Sequence, residues 1–218
     1  MKYKNFIWDF DGTLFDSYPH ICACLLKVLE QEGIREKFEA EMVMRHLCVS
    51  FGDAKTYTGI SDEAWRKFSV LHHLTGAEEE QPPVVPFADC EKVLRDIMAQ
   101  GGRHFLYTHR NLTALEYVRN FSMEDLFEDY VTSEDGFPAK PAPDAILAIM
   151  ERNGLEPAET IMIGDREIDG RSGKNAGIAG ALVNAYKSLP DGTDPYAVSQ
   201  MDYVAENLSE LWEKLQRS

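Results

Sequence analysis

A chain of 218 residues is long enough for one large domain, or for a medium one carrying an insert, and it buries most of its apolar surface without disulfide staples. Its 22 Lys plus Arg stand against 37 Asp plus Glu, a formal charge of −15 that repels nucleic-acid backbones and anionic lipid, so neither is an expected partner. The 44% apolar and 27% charged composition is ordinary for a globular protein, and no apolar run approaches the roughly 18 residues of a membrane span. Residues 1–5 run straight into Phe6-Ile7-Trp8 with no signal-peptide pattern. Cys22, Cys24, Cys48 and Cys90 show neither a CxxC pair nor zinc-ligand spacing, which predicts reduced, packed thiols and a cytoplasmic location.

The chain opens with an expected strand, residues 3–8, that stops at Asp9-Phe10-Asp11-Gly12-Thr13. Between residues 17 and about 80 the apolar spacing is helical. Ile21, Leu25, Leu26, Val28 and Leu29 make one face, Met42, Val43, Leu47 and Val49 a second, and Trp65, Phe68, Leu71 and Leu74 a third. This helical stretch ends in Glu78-Glu79-Glu80-Gln81-Pro82-Pro83, a charged, proline-rich linker. Beyond it the pattern alternates: helix 88–100, strand 103–108, helix 111–121, a short strand near 129–132 and helix 143–153. Strand 160–164, helix 167–176, strand 178–183, a strand near 203–205 and helix 207–217 follow. Strands alternating with helices of this length predict βαβ units and a mostly parallel sheet.

Four polar clusters fall at the ends of expected strands or in the loops beyond, the edge at which open α/β sheets bind ligands. Asp9 and Asp11, two apart on an extended chain, point to one side, where their charges need a cation or a shared proton. Thr108-His109-Arg110-Asn111 follows Phe105-Leu106-Tyr107, and Thr108 alone reads as a helix cap. Lys140 lies among prolines, where a lysine is ordinarily solvated. Gly164-Asp165-Arg166-Glu167-Ile168-Asp169 follows Ile161-Met162-Ile163, and Asp165 alone reads as another cap.

Taken together, in the order acid pair, hydroxyl, lysine, acid pair, the clusters closely resemble the haloacid dehalogenase superfamily. Its motifs match here as Asp9-x-Asp11-Gly12-Thr13, Thr108, Lys140 and Gly164-Asp165-x-x-x-Asp169. The resemblance implies a three-layer α/β/α, Rossmann-like parallel sheet formed by residues 1–16 and 83–218, with a helical cap inserted at 17–82. It implies a phosphatase, similar to the phosphoglycolate phosphatase-like branch, acting on a small phosphorylated metabolite with Mg²⁺. Asp9 would be the nucleophile and would form an aspartyl-phosphate, while Asp11 would be the general acid and base. The metal would be held by the Asp9 carboxylate, the Asp11 carbonyl and Asp165, with Asp169 orienting Lys140 or a metal-bound water. Gly12, Thr108, His109 and Lys140 would bind the phosphoryl group or the rest of the substrate.

The chain departs from the family pattern at Arg166, usually a small polar residue, and at His109-Arg110. Each reads either as a contact to an anionic substrate or as an exposed structural residue. In the cap, His20 is placed to look into the cleft. Phe51, in a glycine-bearing segment between expected helices, stands where related sugar-phosphate mutases carry an arginine. That weighs against a mutase, the enzyme alternative. A phosphonate hydrolase would need an activated cap lysine, and a non-catalytic phospholigand-binding protein would not need all four motifs. His72-His73 is given no metal role.

Overall fold

The computed structural model describes residues 1–74, 81–183 and 201–217. In chain order the strands are β1 (Asn5–Trp8), β2 (Phe15–Asp16), β3 (Val85–Pro86), β4 (Arg103–Tyr107), β5 (Phe127–Val131), β6 (Thr160–Gly164), β7 (Ala179–Val183) and β8 (Tyr203–Ala205). The helices are α1 (Tyr18–Gln31), α2 (Ala40–Val49), α3 (Phe51–Thr58), α4 (Asp62–Leu71), α5 (Cys90–Ala99), α6 (Thr113–Asn120), α7 (Asp144–Asn153), α8 (Glu167–Asn175) and α9 (Leu208–Gln216). Six strands form one parallel sheet in the order β5-β4-β1-β6-β7-β8.

The strand β1 lies inside that sheet, with Asn5 opposite Arg103 on one side and Thr160 on the other. Parallel strands covered on both faces read as unbroken apolar runs, as Phe6-Ile7-Trp8 does. Phe6 and Trp8 pack with α5, α6 and α9 on one face, through Leu94, Ile97, Tyr117, Leu211 and Trp212. Ile7 points to the other face and meets Ile146 and Ile149 of α7. One polar residue in this core, His104 of β4, is fully used: Trp8 Nε1 donates to its Nδ1 at 3.0 Å, and its Nε2 donates to the Leu94 carbonyl at 3.0 Å. Burial lowers the His104 pKa to about 4, which keeps the ring neutral.

The helices α1 to α4 share a separate apolar cluster centred on Leu25, Leu29, Leu47 and Phe68. The expected loop at Phe51 is instead the first turn of α3. Ser50 Oγ accepts the Asp53 N–H at 2.9 Å and starts a new helix immediately after α2, so Gly52 lies inside a helix. Ser61 starts α4 in the same way, through the Ala64 N–H at 3.1 Å. The two chain crossings between this bundle and the sheet pair as a short antiparallel ribbon, β2 with β3, with Phe15 opposite Pro86 and Asp16 opposite Val85. Two residues per strand are too few to carry a periodicity signal in the sequence. Glu78 to Glu80 of the expected linker lie outside the described residues. The four cysteines are buried thiols, and no described helix is long and apolar enough to cross a membrane.

Candidate active site

The hydrogen-bond ladders of the sheet run one residue past the strand ends and fix the first two polar clusters. The Asp9 N–H donates to the Ile163 carbonyl at 2.8 Å, and the Thr108 N–H to the Val131 carbonyl at 3.0 Å. After Asp9 the chain turns sharply, with the Phe10 carbonyl accepting from the N–H groups of Leu14 and Phe15. Gly12 has φ +74° in this turn, and a Cβ there would lie 2.4 Å from Tyr18 Cε2 and 2.5 Å from Asp165 Oδ2. Only glycine lets Tyr18 and Asp165 meet over that backbone. Gly164 is as tightly placed, since a Cβ would fall 2.2 Å from the Asp169 Cβ.

Lys140 is 5% exposed, the opposite of a solvated loop lysine. Its Nζ donates to Asp9 Oδ1 at 2.7 Å and to the Tyr107 carbonyl at 3.0 Å, and it lies 2.8 Å from Asp169 Oδ1. Burial opposes its charge, but the Asp169 and Asp9 carboxylates prevail and raise its pKa. Asp169 Oδ2 accepts the Arg166 N–H at 3.0 Å at the start of α8. The helix-start role the sequence offered to Asp165 therefore falls to Asp169. Asp165 is left buried, with Oδ2 accepting from the Tyr18 hydroxyl at 2.9 Å and the Arg166 Nε 3.9 Å from Oδ1.

Asp9, Asp165 and Asp169 present carboxylate oxygens within 4.8 Å of one another. Asp9 Oδ2 and Asp165 Oδ1 are buried and have no hydrogen-bond partner among the described residues. Burial drives the Asp9 pKa up to about 6, Lys140 opposing and Asp169 adding to the rise. Burial also drives Asp165 well above the carboxylate range, with Arg166 opposing and Asp169 and Asp9 adding. Unpaired, all-oxygen, anionic donors crowded in a buried site fit a hard divalent cation. The Asp11 carboxylate is not part of this cluster.

Asp11 is held elsewhere. Arg110 Nη2 donates to its Oδ1 at 2.8 Å, and Nε lies 3.1 and 3.2 Å from its two oxygens. Burial would raise the Asp11 pKa, but the charge and hydrogen bonds of Arg110 outweigh it and pull the value down to about 2. The free Asp11 side chain expected from the sequence is thus a clamped carboxylate. Arg110 itself is 1% exposed, its guanidinium over the rings of Phe10 and Tyr117, and is neither an exposed residue nor an open anion hook. Thr108 caps no helix: its Oγ1 accepts the Arg110 N–H at 3.0 Å and tightens the loop, while Asn111 Oδ1 accepts the Thr113 N–H at the start of α6. His109 Nε2 accepts the Lys140 N–H at 2.9 Å. Burial, with Lys140, lowers its pKa to about 4, so the ring is neutral.

A cleft of about 130 Å³ opens between the sheet edge and the helical bundle, lined by Asp11, Tyr18, Phe51, His72, His73, His109, Arg110 and Arg166. Phe51 both lines this cleft and packs on Phe68, with ring centroids 5.7 Å apart. His20 is buried near the Pro82 carbonyl and Cys24 and is not in the cleft lining. His72 and His73, given no metal role from the sequence, are in that lining, and Tyr18 reaches Asp165. Nothing in the sequence around His72 could reveal this, because Asp11 lies far away along the chain.

A family model described as haloacid dehalogenase-like hydrolase matches residues 6–183. The chain is 26% identical over 210 residues to a pyrophosphatase PpaX from Bacillus velezensis, covering 94% of this chain and 93% of that protein. It is 26% identical over 223 residues to a phosphoglycolate phosphatase from Vibrio vulnificus, covering 95% and 94%. Among solved structures, a hydrolase from Streptococcus pneumoniae is similar at 31% identity and TM-score 0.62, with 88% of this chain and 98% of that one covered. A HAD-superfamily hydrolase of subfamily IA from Geobacter sulfurreducens, 22% identical with 97% and 99% covered, shares the fold at TM-score 0.67. With the four polar clusters gathered at one sheet edge and the family match spanning most of its length, the chain belongs to the haloacid dehalogenase-like hydrolases, an enzyme with named phosphatases among its relatives.

Proposed function

We propose that this enzyme hydrolyses a small phosphate monoester, with Asp9 as the nucleophile and residues 17–82 as a cap over the site. One observation carries the reading: Asp9 Oδ2 is buried and unpaired while its other oxygen is pinned by Lys140. A carboxylate so held presents one oxygen in a fixed direction, as an attacking nucleophile requires. Asp9, Asp165 and the carbonyl of Asp11 would hold Mg²⁺, with Asp169 beside them. When bound, the ion supplies the positive charge that lets one anion approach another.

One carboxylate oxygen of Asp9 forms a bond to phosphorus as the ester P–O bond breaks, and the departing alkoxide takes a proton to leave as the alcohol. Water then attacks phosphorus, gives up a proton, and frees inorganic phosphate and the Asp9 carboxylate. Lys140 stays paired with Asp9 and adds positive charge next to the reacting group. Thr108, in the loop beyond β4, borders the phosphoryl position. Clamped by Arg110, Asp11 is an ionised carboxylate, the form that accepts the proton of the attacking water. To protonate the alkoxide it must first leave Arg110 and take up a proton from solvent. The small cleft suits a metabolite, and the relatives named above act on pyrophosphate and phosphoglycolate by name.

The test is phosphate release from phosphoglycolate, pyrophosphate, sugar phosphates and nucleoside monophosphates, with and without Mg²⁺. Release is expected to need the metal and to fall by roughly 10³-fold or more in Asp9→Asn. Release undiminished in Asp9→Asn overturns the assignment of the nucleophile.

A further inference from the structure

Arg110 touches more than Asp11. Its Nη1 donates to the backbone carbonyl of His72 at 3.1 Å, at the residue that ends α4. One buried guanidinium therefore bridges an acid beside Asp9 and the last helix of the cap. The rest of the group is accounted for: Nε and Nη2 face the Asp11 carboxylate, the plane lies near Phe10 and Tyr117, and the backbone N–H is tied to Thr108.

Access gives this bridge a consequence. Asp9 is 2% exposed, and Asp165 and Asp169 are wholly buried beneath the cleft. A shift of the bundle away from the sheet edge would open a path for a phosphate ester to Asp9. The bundle joins the sheet through two chain crossings paired over two residues each, a connection that bends readily. Contacts that resist this shift are those crossing the cleft, and the Arg110–His72 hydrogen bond is a charge-assisted one among them.

We propose that Arg110 is a positioning residue that latches the cap to Asp11. Moving α4 off the sheet edge breaks the hydrogen bond to His72 and frees the guanidinium to shift. Turning Asp11 towards a substrate removes the anion that holds the guanidinium in place and loosens α4. By linkage each event favours the other to the same degree. The role assigned to Asp11 rests on the phosphatase reading above, whereas the mechanical coupling does not.

Hydrogen exchange of the whole protein tests this without activity. In Arg110→Gln, amides of residues 68–74 are expected to exchange about tenfold faster or more, with β1 and α7 unchanged, as loss of one charge-assisted hydrogen bond implies. Asp11→Asn weakens the hold on the Arg110 guanidinium and is expected to speed the same amides. Arg110→Lys keeps the charge but not the fork, so thermal stability is expected to recover while the local exchange stays fast and KM rises more than kcat changes. Wild-type exchange at 68–74 in Asp11→Asn overturns the latch. So does exchange raised equally over sheet and cap, or full restoration by Arg110→Lys, either of which makes Arg110 a plain buried counter-ion. Absence of phosphate release from every ester, with the exchange pattern as expected, overturns the phosphatase reading and leaves the latch standing.

Discussion

Asp165→Asn is expected to make the protein more stable without metal and less stable with it. Three buried carboxylates, Asp9, Asp165 and Asp169, face two cations, Lys140 and Arg166, which leaves one negative charge uncompensated. Asp165 shares that cost, since burial raises its carboxyl pKa and Oδ1 has no hydrogen-bond partner among the described residues. An amide removes the charge and still accepts from the Tyr18 hydroxyl. Mg²⁺ at a hundredfold excess over its Kd stabilises the wild type by about 2.7 kcal/mol, or roughly 5–10 °C in Tm for a chain of this size. The variant, lacking one anionic ligand, should lose most of that gain. Calorimetry at pH 7 in a chelator and then in excess Mg²⁺ therefore reads an inverted order of Tm values. A variant less stable than wild type in the chelator, or one that gains as much from Mg²⁺, refutes the reasoning.

The pH dependence in chelator separates Asp9 from the histidines. Its folded pKa of about 6 lies above the unfolded value, so its contribution to stability is present below about pH 4 and is lost as pH rises through 6. The stability of Asp9→Asn relative to wild type should thus grow between pH 4 and 7, read from urea midpoints; a constant difference contradicts the placement of Asp9. Gly12→Ala should cost roughly 2 kcal/mol or more, from a Cβ at φ +74° pressed onto Tyr18 and Asp165, and should blunt the Mg²⁺ shift. A loss under about 0.5 kcal/mol by denaturant melt would show that the turn has room. Phe68→Ala, fully buried in the helical cluster, should cost about 3–5 kcal/mol, against under about 0.5 for Val70→Ala, 61% exposed on the same helix; equal losses refute the packing assigned to α4.

Much of the fold was legible because its signals are local. Continuous apolar runs mark strands covered on both faces, and every strand of the large sheet falls within a few residues of its expected position. The bundle was legible as helices, but not as four of them. The break between α2 and α3 is a single serine cap at Ser50, with no loop to announce it. The β2–β3 ribbon was invisible because two residues carry no period.

The acid pair, threonine, lysine and second acid pair were readable in order from the chain. Their shared position at one sheet edge follows from parallel topology, which puts every strand's carboxyl end on the same side. What each side chain does there did not follow. Arg110 read as either a substrate contact or an exposed residue and Lys140 by itself as a solvated one, and both proved buried on carboxylates 99 and 131 residues away. Asp11, expected free, is clamped, and His72 enters the cleft from a helix whose own sequence holds no acid partner for it. Residue types and spacing determined which chemical groups the chain owns and which edge gathers them. Pairing between buried charges depends on which elements meet in space, because desolvation makes each ion seek its nearest counter-charge whatever its distance along the chain.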